Sequence, residues 1–91
     1  MKYAFRWLPR ARRQLRAIDR TSAMRILQAL TALGDDPYQC DGDVKKLSGE
    51  HEIYRLRVGN FRIAYRIDDG ELIILVVAVG NRRDVYRNLR D

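Results

Sequence analysis

Among its 91 residues the chain has one cysteine, one histidine, two prolines and three lysines. Cys40 has no internal partner, which excludes an intramolecular disulfide and a cysteine-rich metal cluster and fits a reducing, cytoplasmic setting. No apolar run approaches the roughly 18–20 residues that span a bilayer. The most apolar stretch, Leu72 to Val79, reads as a buried strand. The opening MKYAFRWLPR offers neither an uninterrupted apolar segment nor a small-residue cleavage site, so it does not read as a secretory signal. No HExxH and no spaced carboxylate set is present, so the sequence implies neither a metal nor another cofactor. Repeats and low-complexity segments are also missing.

What remains is a chain of 10.7 kDa with an ordinary apolar share of 46%, enough for one domain over residues 1–91 with one modest core. Charge is its distinguishing property. Eighteen Lys and Arg against twelve Asp and Glu give +6, and fifteen of those cations are arginine. Arginine binds phosphate or carboxylate bidentately and stacks on flat rings, so the expected partner is a polyanion, either nucleic acid or an acidic protein segment. The charge is uneven: +7 over residues 1–34, −4 over 35–53 and +3 over 54–91. An anion site must therefore draw on the flanks.

Aromatic residues alternate through Tyr3, Phe5 and Trp7, which suits a short first strand with one buried face. Pro9 fits the first turn of a helix in which Leu15 and Ile18 recur near helical spacing among five arginines. Thr21 or Ser22 offers an N-cap for a second helix with the stripe Ala23, Ile26, Leu27, Leu30 and Leu33, stopped by Gly34. So short a connection predicts an antiparallel helical hairpin. Residues 35–43 are turn chemistry, and Lys45 to Gly49 continues as loop or a brief turn. Then Ile53 to Val58 alternates, Gly59-Asn60 turns, Phe61 to Ile67 alternates again, Asp68-Asp69-Gly70 turns, and Glu71 to Val79 is apolar on both faces. The predicted class is α+β: an N-terminal strand, the helical hairpin, and a three-stranded antiparallel meander in one small sheet, closed by a short C-terminal helix.

A two-residue turn at Gly59-Asn60 sets Val58 against Phe61, Arg57 against Arg62, Leu56 against Ile63 and Tyr54 against Tyr65. The core face then carries Tyr54, Leu56, Val58, Phe61, Ile63, Tyr65 and Ile67, and the opposite face Arg55, Arg57, Arg62, Ala64 and Arg66. Opposed like charges cost a few tenths to about 1 kcal/mol per pair. Four arginines on one face with no interleaved acid read as an anion site; one solvated arginine alone would not.

The segment Tyr54 to Arg87, YRLRVGNFRIAYRIDDGELIILVVAVGNRRDVYR, resembles the core of the RelE toxins, members of the RelE/ParE superfamily of bacterial toxin–antitoxin systems. KKLSGEHE over residues 45–52 and the arginine-rich helices fit as well, so the resemblance spans nearly the whole chain. It implies a metal-independent mRNA endoribonuclease acting in the ribosomal A site and silenced by an acidic antitoxin. Contact with DNA would come only through the antitoxin complex, and none with a membrane. The implied chemistry is attack of a ribose 2′-hydroxyl on the adjacent phosphate, leaving a 2′,3′-cyclic phosphate and a 5′-hydroxyl. That reaction needs a proton acceptor, stabilisation of a dianionic phosphorane and a proton for the leaving oxygen.

Position by position, the resemblance assigns the catalytic set to Arg57, Arg62, Arg82 and Tyr86, with Arg55 beside them. Lys45, Lys46, Arg66 and Arg83 are further candidates for RNA contact; for the two lysines a solvated loop is an equal reading. The best-known family member has lysines where this chain has Arg55 and Arg57. A guanidinium stays protonated, so these two hold phosphate and do not act as an ordinary general base. Tyr86 is of the right type for proton transfer if surrounding arginines lower its pKa. Stacking on a base, or anchoring the last helix, are its other readings. His51, between Glu50 and Glu52, reads as a surface residue, and Trp7 as core. Two competing functions remain open at this level: a ParE-like inhibitor of DNA gyrase without nuclease activity, and a non-catalytic nucleic-acid-binding module, although no helix-turn-helix or RNP signature supports the latter.

Overall fold

The computed structural model describes residues 2–38, 43–48 and 53–81. Seven elements follow one another in it: β1 (Ala4–Trp7), α1 (Pro9–Arg16), α2 (Arg20–Leu33), β2 (Val44–Ser48), β3 (Ile53–Val58), β4 (Phe61–Asp68) and β5 (Ile73–Asn81). The strands form one sheet in the order β1-β5-β4-β3-β2. Neighbours are antiparallel except β1 and β5, which run parallel. The α+β class holds, but the sheet is mixed and has five strands.

The strand absent from the sequence reading is β2, where a loop was expected at Lys45–Gly49. Its residues lack two-residue apolar alternation, so nothing local marks a strand. Pairing with β3 makes it one: Val44 sits opposite Leu56, Lys45 opposite Arg55 and Lys46 opposite Tyr54, with a register shift before Ser48. Lysines suit such an edge, because charge discourages further strands from adding to it.

Two element boundaries and one residue of the apolar stripe also differ. Helix α2 is capped by Asp19, not by Thr21 or Ser22: the Asp19 carboxylate accepts from the Ser22 backbone N–H at 3.0 Å. That hydrogen bond, above all, holds the Asp19 pKa below the usual carboxylate range. Within the predicted apolar stripe, Leu27 proves exposed, while Ile26, Leu30 and Leu33 are buried. Glu71 and Leu72 belong to the β4–β5 turn, where Leu72 takes the left-handed conformation with φ of 55°. The expected C-terminal helix falls outside the described residues.

The predicted β3–β4 register is observed pair for pair, from Val58–Phe61 to Tyr54–Tyr65. At the turn, Gly59 has φ of +60°, a value glycine adopts without steric cost. Strand β5 lies between β1 and β4, the central place expected of it, and Val76 to Val79 are buried on both of its faces. A bulge gives it one extra residue, Val77, so that Ala78 still faces Ala64 while Val76 faces Tyr65.

Both helices pack on one face of the sheet. Ala11 on α1 is fully buried, and its small side chain admits the helix close to β5 and β1. Ile26, Ile63, Tyr65, Ile74, Val76 and Val79 are completely shielded and form the core with Tyr3, Leu30, Leu33 and Leu56. Phe5 and Trp7 are half-buried against it, as read from the sequence. Beyond the end of β1, the Val79 N–H has no strand to pair with, and the Gln14 side-chain oxygen on α1 accepts it at 2.8 Å.

The far edge of the core is polar at its rim. Asp69 accepts hydrogen bonds from the Tyr3 hydroxyl, at 2.6 Å, and from the Tyr38 hydroxyl. Tyr65 donates to the Pro37 carbonyl at 3.0 Å. Tyr54 stacks on Tyr65 and receives the edge of Tyr38. One carboxylate thus ties the N-terminus, the loop after α2 and the β4–β5 turn together.

Candidate nucleic-acid interface

With the helices on one face, alternation along each strand assigns the opposite face its residues. Across it run three rows at sheet spacing. Lys45, Arg55, Ala64 and Ala78 make the middle row; Arg57, Arg62 and Gly80 lie on one side, and Ile53, Arg66, Leu75 and Arg6 on the other. Five of the predicted site residues, Lys45, Arg55, Arg57, Arg62 and Arg66, therefore share one face. Ala64 and Ala78 are fully buried and form a small cluster with Ile53, so the middle of this face is shielded from solvent.

Each arginine is held differently. Arg57 turns toward Asp43 just before β2, donating from Nη2 at 3.1 Å and from Nε at 3.3 Å, while its backbone N–H donates to the Asp43 carbonyl. Arg62 folds over its own turn, its Nη1 reaching the Phe61 carbonyl at 3.1 Å and the Gly59 carbonyl at 3.3 Å. These contacts divide the two opposed guanidiniums between different acceptors and offset their repulsion within the protein. The acid that looked absent from the face is Asp43, the residue just before β2. Arg55 is half-buried, and its Nε is closed off from solvent without a hydrogen-bond partner. Such a donor is costly to leave without a partner.

Lys46 does not join this face. Its register places it on the core side of the edge, with Nζ 6.0 Å from the centre of the Tyr54 ring, a cation–π distance. Arg82, Arg83 and Tyr86 lie outside the described residues, as do Cys40 and His51. Among the described residues no group of three or more His, Cys, Asp or Glu could hold a metal ion, and no helix is long and apolar enough to cross a membrane.

Sequence reasoning missed two contributors. Arg6 reaches the far row from β1, a placement fixed only by the parallel pairing with β5. Ala78, buried beside the Ala64 already read onto this face, was the other, and its place follows only from the pairing of β4 with β5.

The profile described as the ParE toxin of the type II toxin–antitoxin system parDE matches residues 5–86, most of the chain. The chain belongs to the RelE/ParE superfamily. Its relatives carry the RelE side of that name: it is 32% identical to toxin RelG of Mycobacterium tuberculosis over 93 residues, covering 96% of this chain and 99% of that one. Toxin RelE3 of the archaeon Methanocaldococcus jannaschii is 39% identical over 44 residues, and there the chain spans about half the length of its relative, 48%. Among solved structures, the toxin–antitoxin complex RelBE2 of Mycobacterium tuberculosis contains a chain that superposes with a TM-score of 0.75 at 26% identity, covering 90% of this chain and 100% of that one. The protein is accordingly a toxin of the type II toxin–antitoxin class, of RelE type.

Proposed function

We propose that this toxin is a metal-independent, ribosome-dependent mRNA endoribonuclease, neutralised by an acidic antitoxin. The observation that carries the reading is the shared outer face of Lys45, Arg55, Arg57, Arg62 and Arg66, with the Arg55 Nε lacking a partner. Arg57 and Arg62 bind the scissile phosphate and stabilise the dianionic phosphorane as the 2′-oxygen attacks. On binding, phosphate oxygens replace the Asp43 carboxylate at Arg57 and the turn carbonyls at Arg62, so both guanidiniums are already oriented by weaker acceptors. Arg55 and Lys45 hold the flanking backbone. Arg82 and Tyr86 complete the set, Arg82 on phosphate and Tyr86 in proton transfer or base stacking. A solved RelBE2 toxin–antitoxin complex supports an antitoxin partner for this chain as well.

The deciding experiment is primer extension on mRNA in a translating extract, with and without ribosomes. Wild-type protein is expected to give cuts inside codons that require ribosomes, and Arg62→Ala and Arg82→Ala to lose them by 10²-fold or more, the order seen when one charge-stabilising group is removed. The match to a ParE profile favours one second reading, inhibition of DNA gyrase. Intact mRNA together with trapped gyrase–DNA cleavage complexes would establish that reading in place of the nuclease.

A further inference from the structure

At the β1 side of the basic face the sheet forms a groove of about 500 Å³ lined by Arg6, Arg66, Asp68, Glu71, Ile73 and Leu75. Arg6 and Arg66 stand in one row, on either side of Leu75, two strands apart and so roughly 10 Å between backbones. Both are exposed, and neither has a hydrogen bond or ion pair among the described residues, in contrast to Arg57 and Arg62. Ile73 and Leu75, half-buried, give the groove an apolar floor between the two cations. Asp68, Asp69 and Glu71 close its end at the β4–β5 turn; the Asp68 carboxylate is engaged by the Glu71 N–H at 3.1 Å and the Asp69 carboxylate by the Tyr3 and Tyr38 hydroxyls.

We propose that this groove is a second nucleotide subsite, in which Arg6 and Arg66 clamp an RNA phosphate while the adjoining base lies on Ile73 and Leu75. The inference rests on the nuclease reading and extends it to a stretch of substrate away from the cut. Two guanidiniums across an apolar strip match a nucleotide, which is charged at one end and flat and apolar at the other. The volume lies within the range of small-ligand pockets. Arg62 and Arg66 are four residues apart on β4, about 13 Å, the reach of roughly two or three nucleotides of an extended strand. The groove therefore takes a phosphate separate from the one at Arg57 and Arg62. The carboxylates at its end repel further phosphates, so the bound strand stops there. They also disfavour an acidic peptide along the same path.

The test uses the full chain and short single-stranded RNAs with 2′-O-methyl groups that block cleavage, read by fluorescence anisotropy. A dinucleotide reaches one subsite and a tetranucleotide both. Arg6→Ala is expected to weaken tetranucleotide binding about tenfold at low salt and to reduce the salt slope by about 0.7, one phosphate contact, while leaving the dinucleotide unaffected. Arg6→Lys, which keeps the charge, is expected to retain most of the affinity, and Arg62→Ala to weaken both RNAs. If Arg6→Ala leaves the tetranucleotide unchanged while Arg62→Ala weakens it, the groove is no subsite and the nuclease reading stands. If Arg6→Ala weakens both RNAs equally, its effect is general charge and the subsite is again refuted. Should Arg62→Ala also bind both RNAs like wild type, the nuclease reading falls with it. A loss of affinity confined to an acidic peptide would assign the groove to a protein partner and overturn the inference.

Discussion

Single side chains close the gaps that the backbone leaves open. Gln14 does so for the Val79 N–H, which β1 is too short to reach. Removing its acceptor in Gln14→Leu strands a donor on a buried residue, and a loss of about 1–3 kcal/mol is expected as a lower urea midpoint with an unchanged slope. Gln14→Glu keeps the acceptor and should lose less. Asp69 is the other single-residue tie. Its pKa is held below the usual carboxylate range, first by the Tyr3 hydroxyl and then by Tyr38, while both tyrosines are pushed up, chiefly by their hydrogen bonds to Asp69. A carboxylate depressed in the fold contributes stability above its unfolded pKa, near 4, and loses it as pH falls through the folded value. A tyrosine raised in the fold contributes below its unfolded pKa, near 10, and loses that contribution as pH climbs through the folded value. Urea midpoints measured against pH should therefore drop at both ends for wild type, and Asp69→Asn should flatten the acid limb.

At the scale of elements, the legibility of the sequence followed how local each signal was. The β3–β4 hairpin was readable to the residue pair because Gly59-Asn60 and strict alternation fix its register within the segment itself. β2 was not, because Val44-Lys45-Lys46-Leu47 becomes a strand only through β3, about ten residues downstream. The shared face of Arg55, Arg57, Arg62 and Arg66 followed from the hairpin alone; Asp43 beside Arg57 and Arg6 beside Leu75 required the neighbours that the hairpin does not contain. The turn before β5 shows the same limit. An apolar run concealed that Leu72 leaves the strand for a left-handed conformation, which costs a residue with a Cβ about 1 kcal/mol or more. The side chain is 41% exposed, so little packing is at stake. Leu72→Asn, which tolerates that conformation without the flexibility of glycine, should raise stability by about 0.5–1 kcal/mol, and Leu72→Val should lower it; thermal melts would show both.

For the molecule as a whole, the helices and the sheet divide two tasks. Among the described residues the helices pack on one face while Arg6, Lys45, Arg55, Arg57, Arg62 and Arg66 stand on the other, and a net charge of +6 makes any polyanion association sensitive to salt. The order of the strands adds a constraint in time. β1 precedes every other strand of the described sheet, yet among the described residues it pairs only with β5, the last of them. While the chain is being synthesised β1 has nothing to pair with, and the row that links Arg6 to Arg66 does not exist until Leu75 arrives between them. A contact joining such distant parts of a chain forms late and slowly. The basic face is consequently completed only once β5 is free to fold, so a chain halted before β5 lacks the row that joins Arg6 to Arg66.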